Sequence, residues 1–491
     1  MDKNFGSEAN EIYFFWLKSQ LDQTDPVIKA HFNKAEDFSN KISNMVQFFM
    51  LSISKIPIAE QEKFLTSPLL SEYKHSLESV FKNSKYLLSE KEEELMTLKS
   101  MTSYSFWVKM VSEFISKEER EVLLEDGSRS KKIFTDLTTL TMSTKKEVRD
   151  SAAEAINDIL LKHADVAEAE LNAILTDKKT NDELRGLERP DKGRHVSDDI
   201  DSEVVDSMVK SVSDMVKISK DYYELKSKLL GVDKLGYHER NVEIGETNKS
   251  YSFKESVKLV FDVFQKLDTK FSNLFQMFLD NGQVDVFPRK GKRDGAFCVY
   301  FLKTQPTYIM LNHTDKLNDV LTLAHELGHA INNEMMKETQ NAINFSTPLS
   351  TAEVASTFME DFVLQELISQ ADDELKLSLF MQKLNADIST IFRQVYCYKF
   401  EQNLHTAFRE KGFLSKEDIG KLFKDHMGAY MGPFVDQSPG SENWWIHWSH
   451  IRRYFYNYSY ASGLLISKAL QRKVKENPEF IKGVKHFLSS G

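Results

Sequence analysis

Apolar residues recur at steps of three and four along most of this 491-residue chain, the spacing of amphipathic helices. Residues 1 to about 125 read as consecutive helices of this kind, with Phe14, Leu17, Leu21, Phe48, Phe49 and Leu51 as core positions. Charged runs such as Ser89 to Glu94 read as solvated helix faces. Asp126-Gly127-Ser128 marks a turn, and a second helical region runs from about Lys131 to Leu175. The polar stretch Thr176 to Asp201, with Pro190 and Gly193, reads as a loop or hinge. A new helix starts near Asp201, with Val204, Met208, Val212 and Met215 at helical spacing. Phe253 to Leu279 is the clearest amphipathic helix, its apolar face carrying Phe261, Phe264, Phe271, Phe275 and Phe278.

The texture then changes. Gly282 to Gly295 reads as loop, and Ala296–Leu302 with Tyr308–Leu311 as two short strands. Such a hairpin either covers the core or offers an edge to an extended peptide. No repeat of fixed period is present, which argues against a solenoid. The pattern predicts a mostly α protein with a small β-sheet beside the helix that follows. It divides into an N-terminal helical region, 1–130, and a domain, 131–491, that carries the chemistry.

Composition narrows the class. Hydrophobic residues make up 41% of the chain, enough for a sizeable core and against disorder. A net charge of −10 gives a nucleic-acid partner no support. The two cysteines, Cys298 and Cys397, are too few for a disulfide framework and suit a reducing compartment. The first residues lack a basic stretch followed by an apolar run, and no apolar patch is long enough to span a bilayer. A cytoplasmic protein with no membrane partner is the expectation.

The chemistry concentrates in Leu321–Ile331, LTLAHELGHAI. On a helix, His325 and His329 lie one above the other, and two imidazoles at that spacing can grip one Zn²⁺. Glu326 is offset around the helix, where a general base takes a proton from a water held by the metal. With 13 His and 74 Asp+Glu in the chain, chance supplies at most ~0.05 such patterns. The segment is otherwise apolar, so its polar groups need partners. Gly328 is unfavourable in a helix by about 1 kcal/mol against alanine, which points to another backbone lying close.

A catalytic zinc takes three protein ligands and keeps one position open. Glu353, in Ser350–Phe362, is the candidate third ligand; Ser350-x-x-Glu353 also fits a helix capping box. Glu360, seven residues on, falls on the same helix face and can accept the free N–H of a ligand histidine.

With these motifs together, the chain resembles the oligoendopeptidase F branch of the M3, or thimet oligopeptidase, family of zinc metallopeptidases. The resemblance rests on HELGH at His325–His329, AEVASTFME at Ala352–Glu360, IFRQVYCYKFE at Ile391–Glu401 and HIRRYFYNYSYASG at His450–Gly463. It implies one Zn²⁺ per chain on His325, His329 and Glu353, with Glu326 as base. It also implies a helical ellipsoid split by a deep substrate channel, with zinc on its floor, and short unfolded peptides as substrates. In the resembled family a histidine and tyrosines of the C-terminal stretch hold the oxyanion and bind peptide. By position these are His450, Tyr456 and Tyr458, with Tyr460 next. The alternation Tyr454, Tyr456, Tyr458, Tyr460 reads either as a strand face or as an aromatic core. Arg452 and Arg453 stand where related sequences carry aromatics, and either could bind a substrate carboxylate. The resulting expectation is a zinc endopeptidase, monomeric or weakly self-associating. Release of dipeptides from C-termini, or peptide binding without cleavage, are the alternatives, and Co²⁺ or Mn²⁺ could replace zinc.

Overall fold

The structure, a computed structural model, describes residues 5–6, 9–245, 249–437 and 439–490, apart from the side chains at 44 and 47. Among these residues it is mostly α-helical, with three small sheets. The chain forms two compact units, each assembled from separate stretches. The first comprises Met1–Lys85, Thr247–Asp372 and Gly463–Gly491; the second comprises Tyr86–Glu246 and Asp373–Ser462. The boundary expected after residue 130 lies inside the strand Arg129–Ile133.

In the first unit the expected hairpin is present. Phe297–Val299 pairs antiparallel with Tyr308–Met310, which also takes Val284–Asp285 in parallel on its other side. That third strand falls in the stretch read as loop; at two residues it is too short to show a period. The helix Asn10–Leu21 covers the hairpin. Its Tyr13 hydroxyl donates to the carbonyls of Val299 and Pro306, and Trp16 packs on Phe297 at 5.2 Å. The Phe stripe is core, but it sits on two helices, Phe253–Leu267 and Thr269–Asp280. Asp268 breaks the run: its backbone is extended and its carboxylate caps the second helix at the Lys270 N–H. Phe264, Phe271, Phe275 and Phe278 are fully buried.

The helix Pro26–Ser54 corrects another expectation. Phe48 is 61% exposed and Phe49 51%, and Phe14 on the preceding helix is exposed as well. A helical period identifies an apolar face without saying whether anything covers it.

In the second unit the helix Ala164–Arg185 continues ten residues beyond its expected end at Leu175 and stops at Gly186, a left-handed cap. A short helix, Lys192–Ser197, lies within the remaining expected loop. The turn at Asp126-Gly127 joins a hairpin, Glu119–Leu123 with Arg129–Ile133, whose charged alternation hid it. The helix Ser202–Asp214 buries Val205 and Val212, while Val204 and Met215 face solvent. Residues 441–453 form short 3₁₀ turns and a helix starts at Tyr458, so the tyrosine alternation is not a strand. No single helix among the described residues is long and apolar enough to cross a membrane.

Candidate metal centre

The helix Leu317–Thr339 carries His325, Glu326 and His329, and most of its remaining surface is buried. Gly328 lets a second backbone reach it. A Cβ there would lie 2.6 Å from both the Ala355 carbonyl oxygen and the Ser356 Cα, on the neighbouring helix Val354–Ser369. That approach brings the N-terminus of the second helix, and Glu353 with it, alongside the histidines. Glu353 occupies the N-cap position and makes no side-chain cap bond, so the capping box is not formed. Gly463 closes on the same residue, its Cβ position 3.3 Å from the Glu353 Cβ.

The Nε2 atoms of His325 and His329 each stand 3.4 Å from Oε2 of Glu353. This is longer than a good charge-assisted hydrogen bond. Ligands about 2.0–2.1 Å from a tetrahedral zinc stand about 3.4 Å apart, so the spacing and the two-nitrogen, one-carboxylate set fit that ion. All three donors lie within 4.8 Å of one another. His325 Nδ1 is 2.8 Å from Oε2 of Glu360. A proton held there leaves the Nε2 lone pair facing the centre. Ser356 donates to Oε2 of Glu353 at 2.9 Å and fixes that carboxylate; nothing in the sequence marked it beyond its place three residues on.

Electrostatics bind the group together. Burial alone would raise the Glu353 carboxyl, but the imidazoles beside it hold it well below the usual carboxylate range. Burial opposes charge on His325, yet the Glu353 and Glu360 carboxylates outweigh it and push the imidazole up to about 10, so a metal binding at Nε2 would have to displace a proton from it. Glu326 is 7% exposed. Burial raises its carboxyl, against lowering by the His325 and His329 charges and by a backbone hydrogen bond from Cys298, on the strand Phe297–Val299. A second grouping, Asp150, His238 and Glu239, is already occupied by cations: Lys146 lies 2.8 Å from Asp150 and Arg149 2.7 Å from Glu239.

The C-terminal aromatic stretch, in the second unit, separates into outward and inward groups. His450, Tyr456 and Tyr460 are half-buried, their ring centroids 5.3–5.8 Å apart. The Trp448 indole donates to His450 Nδ1 at 3.0 Å, so the neutral ring carries its proton on Nε2, 3.0 Å from the Tyr460 hydroxyl. Burial, with the Arg453 and Arg393 charges, holds His450 below its ordinary pKa. The Tyr456 hydroxyl has no hydrogen-bond partner among the described residues.

Two expected site residues belong instead to the interior. Tyr458 is fully buried and donates its hydroxyl to Asp198 at 2.7 Å. Arg452 is 3% exposed, forks onto Glu170 at 3.1 and 2.8 Å, and donates to the Trp445 and Trp448 carbonyls. Four of its five N–H donors are used in the interior, and Glu170 already matches its charge, so it is not offered to a substrate carboxylate. Arg453, next to it, is exposed.

The family model described as Peptidase family M3 matches residues 139–491, and the one described as Oligopeptidase F matches residues 53–117. An oligoendopeptidase F homolog of Borreliella burgdorferi is 24% identical over 490 residues, 98% of this chain and 81% of that protein. A crystal structure from Chlamydophila abortus overlays with a TM-score of 0.89 at 21% identity, covering 98% of this chain and 81% of the other. The oligoendopeptidase-F of Enterococcus faecium overlays with a TM-score of 0.72 at 19% identity, covering 99% and 83%.

Proposed function

Since this chain belongs to peptidase family M3 and is a metalloendopeptidase, we propose that it is a zinc-dependent oligoendopeptidase that cuts internal bonds of short, unfolded peptides. One observation carries this reading. Two imidazole nitrogens converge on one Glu353 oxygen, 3.4 Å from each, with buried Glu326 on the same helix.

His325, His329 and Glu353 would hold one zinc ion per chain, with Glu360 and Ser356 orienting two of them. When bound, the ion supplies a Lewis acid to the scissile carbonyl and to the attacking water. Glu326 takes a proton from that water as it attacks and delivers it to the leaving amine nitrogen. Burial raises this carboxyl toward the working pH, which suits a group that must both accept and return a proton. His450, once its Nε2 proton turns from the Tyr460 hydroxyl to the substrate, and Tyr456, through its hydroxyl, are the donors for the carbonyl oxygen as it gains charge. Tyr460 contacts peptide and holds His450. Arg453 takes the role expected of Arg452 toward a substrate carboxylate. The proposal extends to a cytoplasmic enzyme, monomeric or weakly self-associating, in keeping with its two free cysteines.

An internally quenched mid-length peptide tests the reading. Cleavage should vanish with a chelator and return with zinc, and mass spectrometry should find cuts away from both ends. Release of C-terminal dipeptides alone would replace endopeptidase by peptidyl-dipeptidase.

A further inference from the structure

The motif Ile391–Glu401 is distinctive in the sequence, yet the chemistry above leaves it without a task. Its last residue, Glu401, lies on the helix Gln394–Lys411 and is fully buried. No cation hydrogen-bonds it among the described residues. Its Oε2 accepts the Phe455 backbone N–H at 2.6 Å, and its Oε1 accepts the Asn457 side-chain amide at 2.5 Å. Burying a carboxylate on two neutral donors is costly, and burial accordingly raises this carboxyl to about 8. Such a group is a poor source of stability, so its effect lies in the geometry it holds.

That geometry is unusual. Tyr454 and Phe455 both have positive φ, 47° and 57°, and neither is glycine. L-residues with bulky side chains adopt this conformation only where surrounding contacts impose it. Arg194 donates to the carbonyls of Arg453 and Tyr454, and the Tyr454 hydroxyl donates to the Ile174 carbonyl. Glu401 holds the other end, through the N–H of the second left-handed residue. The consequence is a reversal of facing. Arg452, Phe455, Asn457 and Tyr458 turn inward, while His450, Tyr456 and Tyr460 stay half-exposed with their rings together.

We propose that Glu401 is a positioning residue: by gripping Phe455 and Asn457 it holds the left-handed turn at Tyr454–Phe455, and so sets the directions in which His450 and Tyr456 present their donors. This rests on the reading that His450 and Tyr456 act on the peptide. Glutamine can partly replace the glutamate, because its oxygen accepts from Phe455 and its amide can donate to Asn457 Oδ1, which has no partner at present.

The test uses the full, zinc-loaded chain, with fold checked by circular dichroism and metal content measured. Glu401→Leu should lower kcat by about 100-fold, the scale of a small misplacement of reacting groups, with zinc content unchanged. Glu401→Gln should retain most of the rate. In a His450→Ala, Tyr456→Phe background the leucine substitution should cost far less, because both donors it misdirects are gone. If the leucine variant does not fold, Asn457→Ala carries the same comparison with a smaller loss. A folded leucine variant at wild-type rate, losses that still multiply in the background lacking both donors, or a glutamine variant as impaired as leucine would each overturn the inference. If His450→Ala and Tyr456→Phe themselves run at wild-type rate, the donor reading fails and takes the inference with it. If they are impaired while Glu401→Leu is not, only the inference falls.

Discussion

Nδ1 of His325 sits 2.8 Å from Oε2 of Glu360, a residue thirty-five positions later on a different helix. The contact decides which nitrogen of His325 is left for a metal and how the ring is turned. Glu360→Gln keeps an acceptor but removes its charge. Zinc affinity should fall about 10- to 100-fold, read by competition with a chromophoric chelator. Unchanged affinity would leave Glu360 with no part in the centre.

Glu326 gives the sharpest separation of binding from chemistry. Glu326→Gln should keep a full complement of zinc and lower kcat by about 10²–10⁴-fold, the range for losing a positioned base. Zinc content and turnover on the same sample decide it. Near-normal turnover in a metal-loaded variant would assign the base elsewhere.

Gly328→Ala sets two effects against each other. Alanine improves helix propensity by about 1 kcal/mol. Its Cβ, however, would meet backbone atoms at 2.6 Å, and backbone cannot swing aside as a side chain can. Overpacking of that kind costs about 1–3 kcal/mol, so the clash should win. The variant should melt earlier and hold zinc more weakly, since Glu353 rides on the displaced helix. A raised melting temperature with full metal affinity would contradict the close approach.

Arg452→Ala should act on stability rather than specificity. It would strand Glu170, whose side chain is 0% exposed, as an unpaired buried charge. Breaking such a pair costs about 3–5 kcal/mol. Replacing both partners with leucine should recover much of the loss in a urea melt. A stable Arg452→Ala protein with altered preference for peptide ends would return this arginine to the substrate site.

Glu401 makes stability depend on pH in a predictable direction. Its carboxyl is raised to about 8 in the folded chain, from an ordinary value of 4.5. The folded state therefore binds the proton more tightly than the unfolded state. Stability from this group is present below about pH 4.5, falls by at most about 1.4 kcal/mol per pH unit up to about 8, and is level above. Glu401→Gln removes the titration. Relative to wild type, the variant should gain stability between pH 5 and pH 8, seen as a flatter trend of urea midpoints. Parallel trends would show that the carboxyl is not raised.

The helix Leu317–Thr339 and the facing of its two histidines were legible in the sequence because helical spacing is local: four residues fix His325 over His329, whatever surrounds them. The same holds for Gly328, whose cost in a helix announced a close neighbour. Tertiary structure decided which carboxylates join that helix, since Ser350-x-x-Glu353 is an equally good cap until Gly328 draws the two backbones together. It also decided the fate of the C-terminal stretch. Tyr456 and Tyr458 are alike in sequence, but a left-handed turn held from a distant helix sends Tyr458 to Asp198 and leaves Tyr456 outside. Arg452 and Arg453 are parted in the same way, by a Glu170 that lies 282 residues from its partner. Periodicity records which residues share a face. Which faces are covered, and which buried charges are matched, depends on contacts between segments that no local pattern encodes.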